Sequence, residues 1–189
     1  NIPSQSECSL CHNTSTNLFL GITLPQLNSA NIEDSYIEGE LARLSSKKIL
    51  QLDVAEVERM GKLDLFEVAA VAIDSSEATL EHRARSYLHA QCSHCHNKAA
   101  IIGQVNFDLS LGTTFKNTKI CNADVKRPDD YEAETVKVLF PGEPEKSAIY
   151  LRMKSLEDEF KMPPVGKHVV DENGVGLIKN WIESMSRIF

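Results

Sequence analysis

The sequence predicts a helical protein built as two small units. Three observations carry that reading. Apolar residues recur at helical spacing in two stretches: Leu80, Ala84, Tyr87 and Leu88 in the middle, and Val175, Ile178, Trp181, Ile182 and Met185 at the end. The pattern C-x-x-C-H occurs twice, as Cys8-Ser9-Leu10-Cys11-His12 and as Cys92-Ser93-His94-Cys95-His96. Between them, the polar stretch Asp74-Ser75-Ser76-Glu77 divides an apolar run from a new helix. The expected units are residues 1–76 and 77–189.

A chain of 189 residues is long enough for one large domain or two small ones. Hydrophobic residues make up 42% and charged residues 25%, which fits a packed chain and not wholesale disorder. The longest apolar run, Val68 to Ile73, falls far short of the roughly 20 residues a membrane helix needs. No membrane span is therefore expected. The net charge of -7 argues against nucleic acid, whose binding rests on Lys and Arg neutralising phosphates. The acidity is concentrated in residues 1–76, with 11 acidic against 5 basic side chains. That asymmetry serves solubility, or forms a docking face for a basic redox partner.

The elements follow in order. Ser76 is the expected N-cap of a helix over residues 77–91, which runs straight into Cys92. After His96 comes a long irregular stretch rich in Asn and Thr, with Gly103 and Gly112. Val136 to Phe140 is a short apolar run stopped by Pro141-Gly142, and Ser147 to Ser155 reads as a short helix. Lys161-Met162-Pro163-Pro164 then forms a stiff loop, because two prolines fix φ and keep the preceding residue out of a helix. A final helix starts at about Asp171, where Asp171 and Glu172 complement the helix dipole.

The duplicated pattern carries chemistry. C-x-x-C-H is the attachment pattern of c-type haem. The two thiols add to the vinyl groups as thioethers, and the adjacent His supplies the proximal nitrogen to iron. Four Cys could instead build one zinc site, or two redox dithiols. Both alternatives need a His to follow each pair by accident, a coincidence of about one in a thousand for a chain this poor in His. The expectation is two covalently attached haem c groups. Cys8, Cys11, Cys92 and Cys95 are the anchors, and His12 and His96 the proximal ligands. Met162, held on a proline-stiffened loop, is the expected distal ligand of the second iron. Met185 lies on the apolar stripe of the last helix and reads as core.

Residues 77–189 resemble a class I cytochrome c domain on Cys92-Ser93-His94-Cys95-His96, Met162-Pro163-Pro164 and a terminal helix with Trp181-Ile182. The resemblance implies an all-α fold, crossed N- and C-terminal helices and His/Met iron. The whole chain is similar to a group of secreted bacterial haem proteins of unassigned role. The residues that carry this are Arg83 to Cys92, Pro141-Gly142-Glu143-Pro144, Val169-Val170-Asp171, Leu20-Gly21 and Gln26-Leu27-Asn28. The fold class expected is thus all-α, two small haem-binding domains, the second cytochrome c-like.

The first unit departs from this pattern, because residues 1–76 lack a Met-Pro-Pro. Its distal ligand is expected to be His89, reaching across from the helix before Cys92, with Met60 as the alternative and His82 or Met153 behind them. His94 is expected to point away from its own haem, and His168 to lie on the surface; neither is assigned a role. Cys121 is left over, with a small buried thiol as its plainest reading, and an axial or catalytic thiol or a dimer disulfide as the others.

The function expected is electron transfer by a dihaem carrier between exported redox partners. Electrons would run from the first haem to the second, whose Met/His ligation raises its potential. Haem of this kind is attached outside the cytoplasm in the family, so a periplasmic or equivalent compartment is implied. The alternative is a haem enzyme acting on peroxide or a small sulfur compound at an open first iron, with the second as relay. A redox-sensing module of a longer chain is the third reading.

Overall fold

The computed structural model describes residues 3–12, 20, 40–50, 79–98 and 105–186. Among these residues the regular structure is helical, and extended pairing is limited to isolated bridges such as Cys121 with Leu139 and Asp124 with Lys137. The helices are α1 (Gln5–Cys11), α2 (Glu40–Ser46), α3 (Leu80–Cys92), α4 (Phe115–Thr118), α5 (Ala148–Lys154) and α6 (Glu172–Ser184). The expected boundary at 74–77 lies outside the described residues.

Local sequence explains each start. In α1, Ser4 and Glu7 form a reciprocal capping box: Glu7 N–H donates to Ser4 Oγ at 3.3 Å and Ser4 N–H to Glu7 Oε2 at 2.7 Å. In α3 the cap is Thr79, whose Oγ1 accepts from His82 N–H at 3.2 Å, so the helix opens after Ser76, its expected cap. In α6 Asp171 accepts from Gly174 N–H at 3.0 Å, as its position ahead of the apolar stripe predicts. The helix expected over Ser147 to Ser155 is α5, with those two residues as its caps.

The core lies where α3 crosses α6, with α5 packed on α6. Ala84 and Leu88 lie four apart on α3 and are buried, and Val175, Ile178, Trp181 and Ile182 face them from α6. Each large side chain so buried contributes roughly 1.5–3 kcal/mol. Tyr150 and Met153 of α5 join from one side, Leu109, Ile120 and Leu139 from the irregular chain. Met185 follows the end of α6 and packs partly buried against the same cluster.

Two polar devices lock the crossing and its loops. Tyr87 of α3 donates its hydroxyl to Asp171 Oδ2 at 2.8 Å, joining α3 to the N-terminus of α6. Burial, then the Asp171 hydrogen bond, pushes the Tyr87 phenol far above its ordinary value. Gly174 makes this approach possible, because a Cβ there would lie 2.6 Å from Cε2 of Tyr87 and closer still to its Cζ and hydroxyl. Asp108, also buried, ties the chain after the second motif: it accepts from Ser110 N–H at 2.9 Å and from the Thr113 hydroxyl at 2.7 Å. Arg85 of α3 donates to the carbonyls of Leu111 (3.2 Å) and Thr113, holding that loop against the helix.

Candidate functional site

Both C-x-x-C-H motifs sit at the C-terminal end of a helix. Cys92 is the last residue of α3; the chain then turns, with Cys95 and His96 N–H both donating to Cys92 O at 3.1 and 2.9 Å. Burial, with Cys95 next, raises the Cys92 thiol to about 12. Burial and then Cys11 raise Cys95 to about 12. A redox dithiol works through a depressed thiol, and burial pushes both of these the other way.

His96 is built into the core side of this turn. Its carbonyl accepts from Leu109 N–H at 2.8 Å, and its ring stacks on Phe107 at 4.9 Å between centroids, 24° between planes. Burial and then His94 depress it to about 4, so the imidazole is neutral, as a metal ligand must be. Its Nδ1 is buried without a hydrogen-bond partner. A buried ring nitrogen left uncommitted is costly unless something not belonging to the protein takes it.

The first motif is carried by α1, and residues Ser4 to Ser9 are exposed along it. His12 is the C-cap, its N–H donating to Cys8 O at 2.8 Å. The chain brings this motif onto the second: Cys95 Sγ lies 3.7 Å from Cys11 Sγ. His94 joins them, so that ligand atoms of Cys11, His94 and Cys95 all lie within 4.8 Å of one another. His94 is half-buried, and burial, then His12, lowers it below its ordinary value. Sequence reasoning left His94 without a role. Its place inside the Cys pair, facing out of its own attachment turn, was the available signal, but nothing in the sequence says what it faces.

Met162 is half-buried on the loop after α5, ahead of Pro163 and Pro164. Two cations brace that loop. Lys167 Nζ donates to the carbonyls of Ser155 (2.8 Å), Met162 (3.2 Å), Arg152 (3.4 Å) and Met153. Burial, then Lys161, lowers its ammonium below the ordinary lysine value. The Arg152 carbonyl accepts from Met162 N–H at 3.0 Å. Its guanidinium donates to Phe160 O (3.1 Å), Asp130 Oδ2 (2.8 Å) and the Tyr131 hydroxyl (2.7 Å) and lies 4.8 Å from the Phe160 ring centre. Neither cation was singled out from sequence: Lys167 is bound by backbone carbonyls that no residue pattern announces, and Arg152 reaches Asp130 and Tyr131 about twenty positions away in the chain.

The remaining expectations fall as follows. His89 is half-buried, with Ser93 Oγ 2.9 Å from its Nδ1; burial lowers it and Asp108 opposes that. Met60 lies outside the described residues. His82 is half-buried near the start of α3, while Met153 belongs to the hydrophobic core. His168 is exposed, as expected. Cys121 is exposed, not buried. It follows the fully buried Ile120 in extended chain, where alternate side chains face opposite ways, so Ile120 takes the core and Cys121 faces out.

These residues fit a covalently held haem. Cysteine pairs end two helices, and a neutral imidazole with an uncommitted nitrogen follows the second pair. The Cys11–His94–Cys95 trio would equally offer soft donors to a thiophilic ion. No described helix is long and apolar enough to cross a membrane. No family model matches the chain, and neither a curated protein nor a solved structure matches it.

Proposed function

We propose that this chain is an electron carrier holding two haem c groups. The observation that supports it best is His96, neutral and half-buried, with a buried Nδ1 that has no hydrogen-bond partner, directly after Cys92 and Cys95 at a packed helix end. A bound haem supplies a one-electron iron couple. The chain supplies the rest: Cys8, Cys11, Cys92 and Cys95 anchor, while His12 and His96 offer imidazole nitrogens. Met162 offers a thioether from a loop that Lys167 and Arg152 keep in one place. With His96 and Met162 as its two protein ligands, the second iron would have no position left for substrate, which favours electron passage over chemistry there.

For the first iron, His89 is the proposed distal ligand, with Met60 the alternative. Ser93 Oγ lies 2.7 Å from His89 O and 2.9 Å from its Nδ1. Since the hydroxyl has one proton, giving it to the carbonyl leaves Nδ1 as donor and Nε2 with its lone pair, the tautomer a metal takes. The acidic first half suits a basic redox partner, and the proposed setting is periplasmic or otherwise exported.

The trio Cys11, His94 and Cys95 favours a second reading, a zinc or copper(I) site in place of covalent haem. Intact mass and a haem stain after acid-acetone washing separate the two. Two porphyrins per chain surviving the wash support the carrier. A colourless polypeptide carrying metal alone overturns it.

A further inference from the structure

We propose that the two haem groups meet at their thioether edges, across the contact of Cys11 with Cys95, and exchange electrons there. This rests on the two-haem reading. The sulfurs lie 3.7 Å apart, a van der Waals separation with no room for another atom between them. Each thioether sulfur would be bonded to the side-chain carbon that the former vinyl group holds next to the ring. The path from ring to ring would thus be two covalent bonds, ring to side-chain carbon and carbon to sulfur, on each side of a single non-bonded gap. No peptide or side chain intervenes at that point, and His94 closes the seam, its ring nitrogen within 4.8 Å of both sulfurs. The segments so joined stand 84 residues apart in sequence, so the apposition is tertiary and not a consequence of chain proximity.

The step itself is simple. One electron would leave the ferrous iron of one group and reduce the ferric iron of the other, with no atom or proton changing place. Two macrocycles joined through touching sulfurs would also couple optically, and each would feel the charge of the other. The pair would behave as one two-electron unit, with each potential set partly by the state of its neighbour.

The test is circular dichroism in the Soret band of the full chain, beside a variant in which Cys8→Ser and Cys11→Ser remove the first attachment. Cys8 is exposed and Cys11 half-buried, and neither belongs to the hydrophobic core cluster, so this variant spares the α3–α6 core. Haem content is measured on both proteins. The expected result is two haems in the parent, with a bisignate couplet that is lost in the one-haem variant. Two haems in the parent with no couplet, or a couplet that persists in the variant, overturns the edge contact and leaves the carrier reading standing. Fewer than two haems in the parent overturns the carrier reading, and this inference falls with it.

Discussion

Gly174→Ala should destabilise the protein, although alanine is the better helix former. The added Cβ would lie 2.6 Å from Cε2 of Tyr87 and closer still to Cζ and the hydroxyl. Ordinary non-bonded carbon contacts begin at roughly 3.5 Å. The obstacle is a half-buried aromatic ring held by its hydrogen bond to Asp171, so it has no easy retreat. Overpacking of this kind costs roughly 1–3 kcal/mol. Swinging Tyr87 aside breaks a hydrogen bond to a charged acceptor, a further loss of roughly 1.5–3 kcal/mol. The helix propensity of Ala returns at most about 1 kcal/mol. The net expectation is a loss of about 3 kcal/mol, or a melting temperature lower by roughly 6–12 °C for a chain of this size. Gly176, two residues on, is the internal control: a Cβ there meets nothing within 4 Å, so Gly176→Ala should stabilise by up to about 1 kcal/mol. Denaturant midpoints of both variants, read by far-ultraviolet circular dichroism with unchanged slopes, give the answer. If Gly174→Ala is as stable as Gly176→Ala, the crossing of α3 and α6 is not as close as described.

Three further outcomes follow from other contacts. Lys167→Met removes the donor shared by the carbonyls around Met162 and should cost about 2 kcal/mol; in the haem-loaded protein it should weaken the long-wavelength sulfur-to-iron band while haem content holds. An unchanged band would remove Lys167 from the support of Met162. Asp108 is subject to burial, which raises its pKa, but hydrogen bonds from Ser110 and Thr113 win and hold it below the ordinary 3.8. The unfolded chain therefore binds the proton more readily, and this stabilisation is present above about pH 4 and lost as pH falls through the lowered value. Asp108→Asn should cost about 1–2 kcal/mol at neutral pH, and the deficit should shrink in acid; a deficit constant with pH would contradict the assignment. Cys121→Ser, at an exposed position, should change stability by less than about 0.5 kcal/mol and leave haem content alone, which thermal melts and intact mass check.

Much of residues 77–189 was legible because its signals are local. Asp171 before an apolar stripe marks the start of α6, and Ser147 and Ser155 bracket α5. Helix α3 is capped by Thr79, later than the cap expected at Ser76, because two hydroxyl residues three apart both match an N-cap pattern and the pattern does not rank them. Cys121 was misread for a related reason: the average burial of cysteine says little, and the phase set by Ile120 decides. The site was legible as a set of motifs and not as an arrangement. Nothing near Cys8 or Cys92 in sequence encodes that Cys11 and Cys95 touch, or that His94 lies between the motifs. The same holds for Lys167, whose partners are carbonyls common to every residue.

The two attachment segments differ in how they are reached. Cys92 ends a helix already wedged against α6 and is partly buried against the core. Cys8 stands exposed on a seven-residue helix that has its own cap, and seven residues hold little helix unaided. An assembly order follows. On the two-haem proposal, the second cofactor would be attached while the polypeptide is still open, before the crossing of α3 with α6 shuts. On the same proposal the first could be fastened later, because Cys8 is an accessible handle.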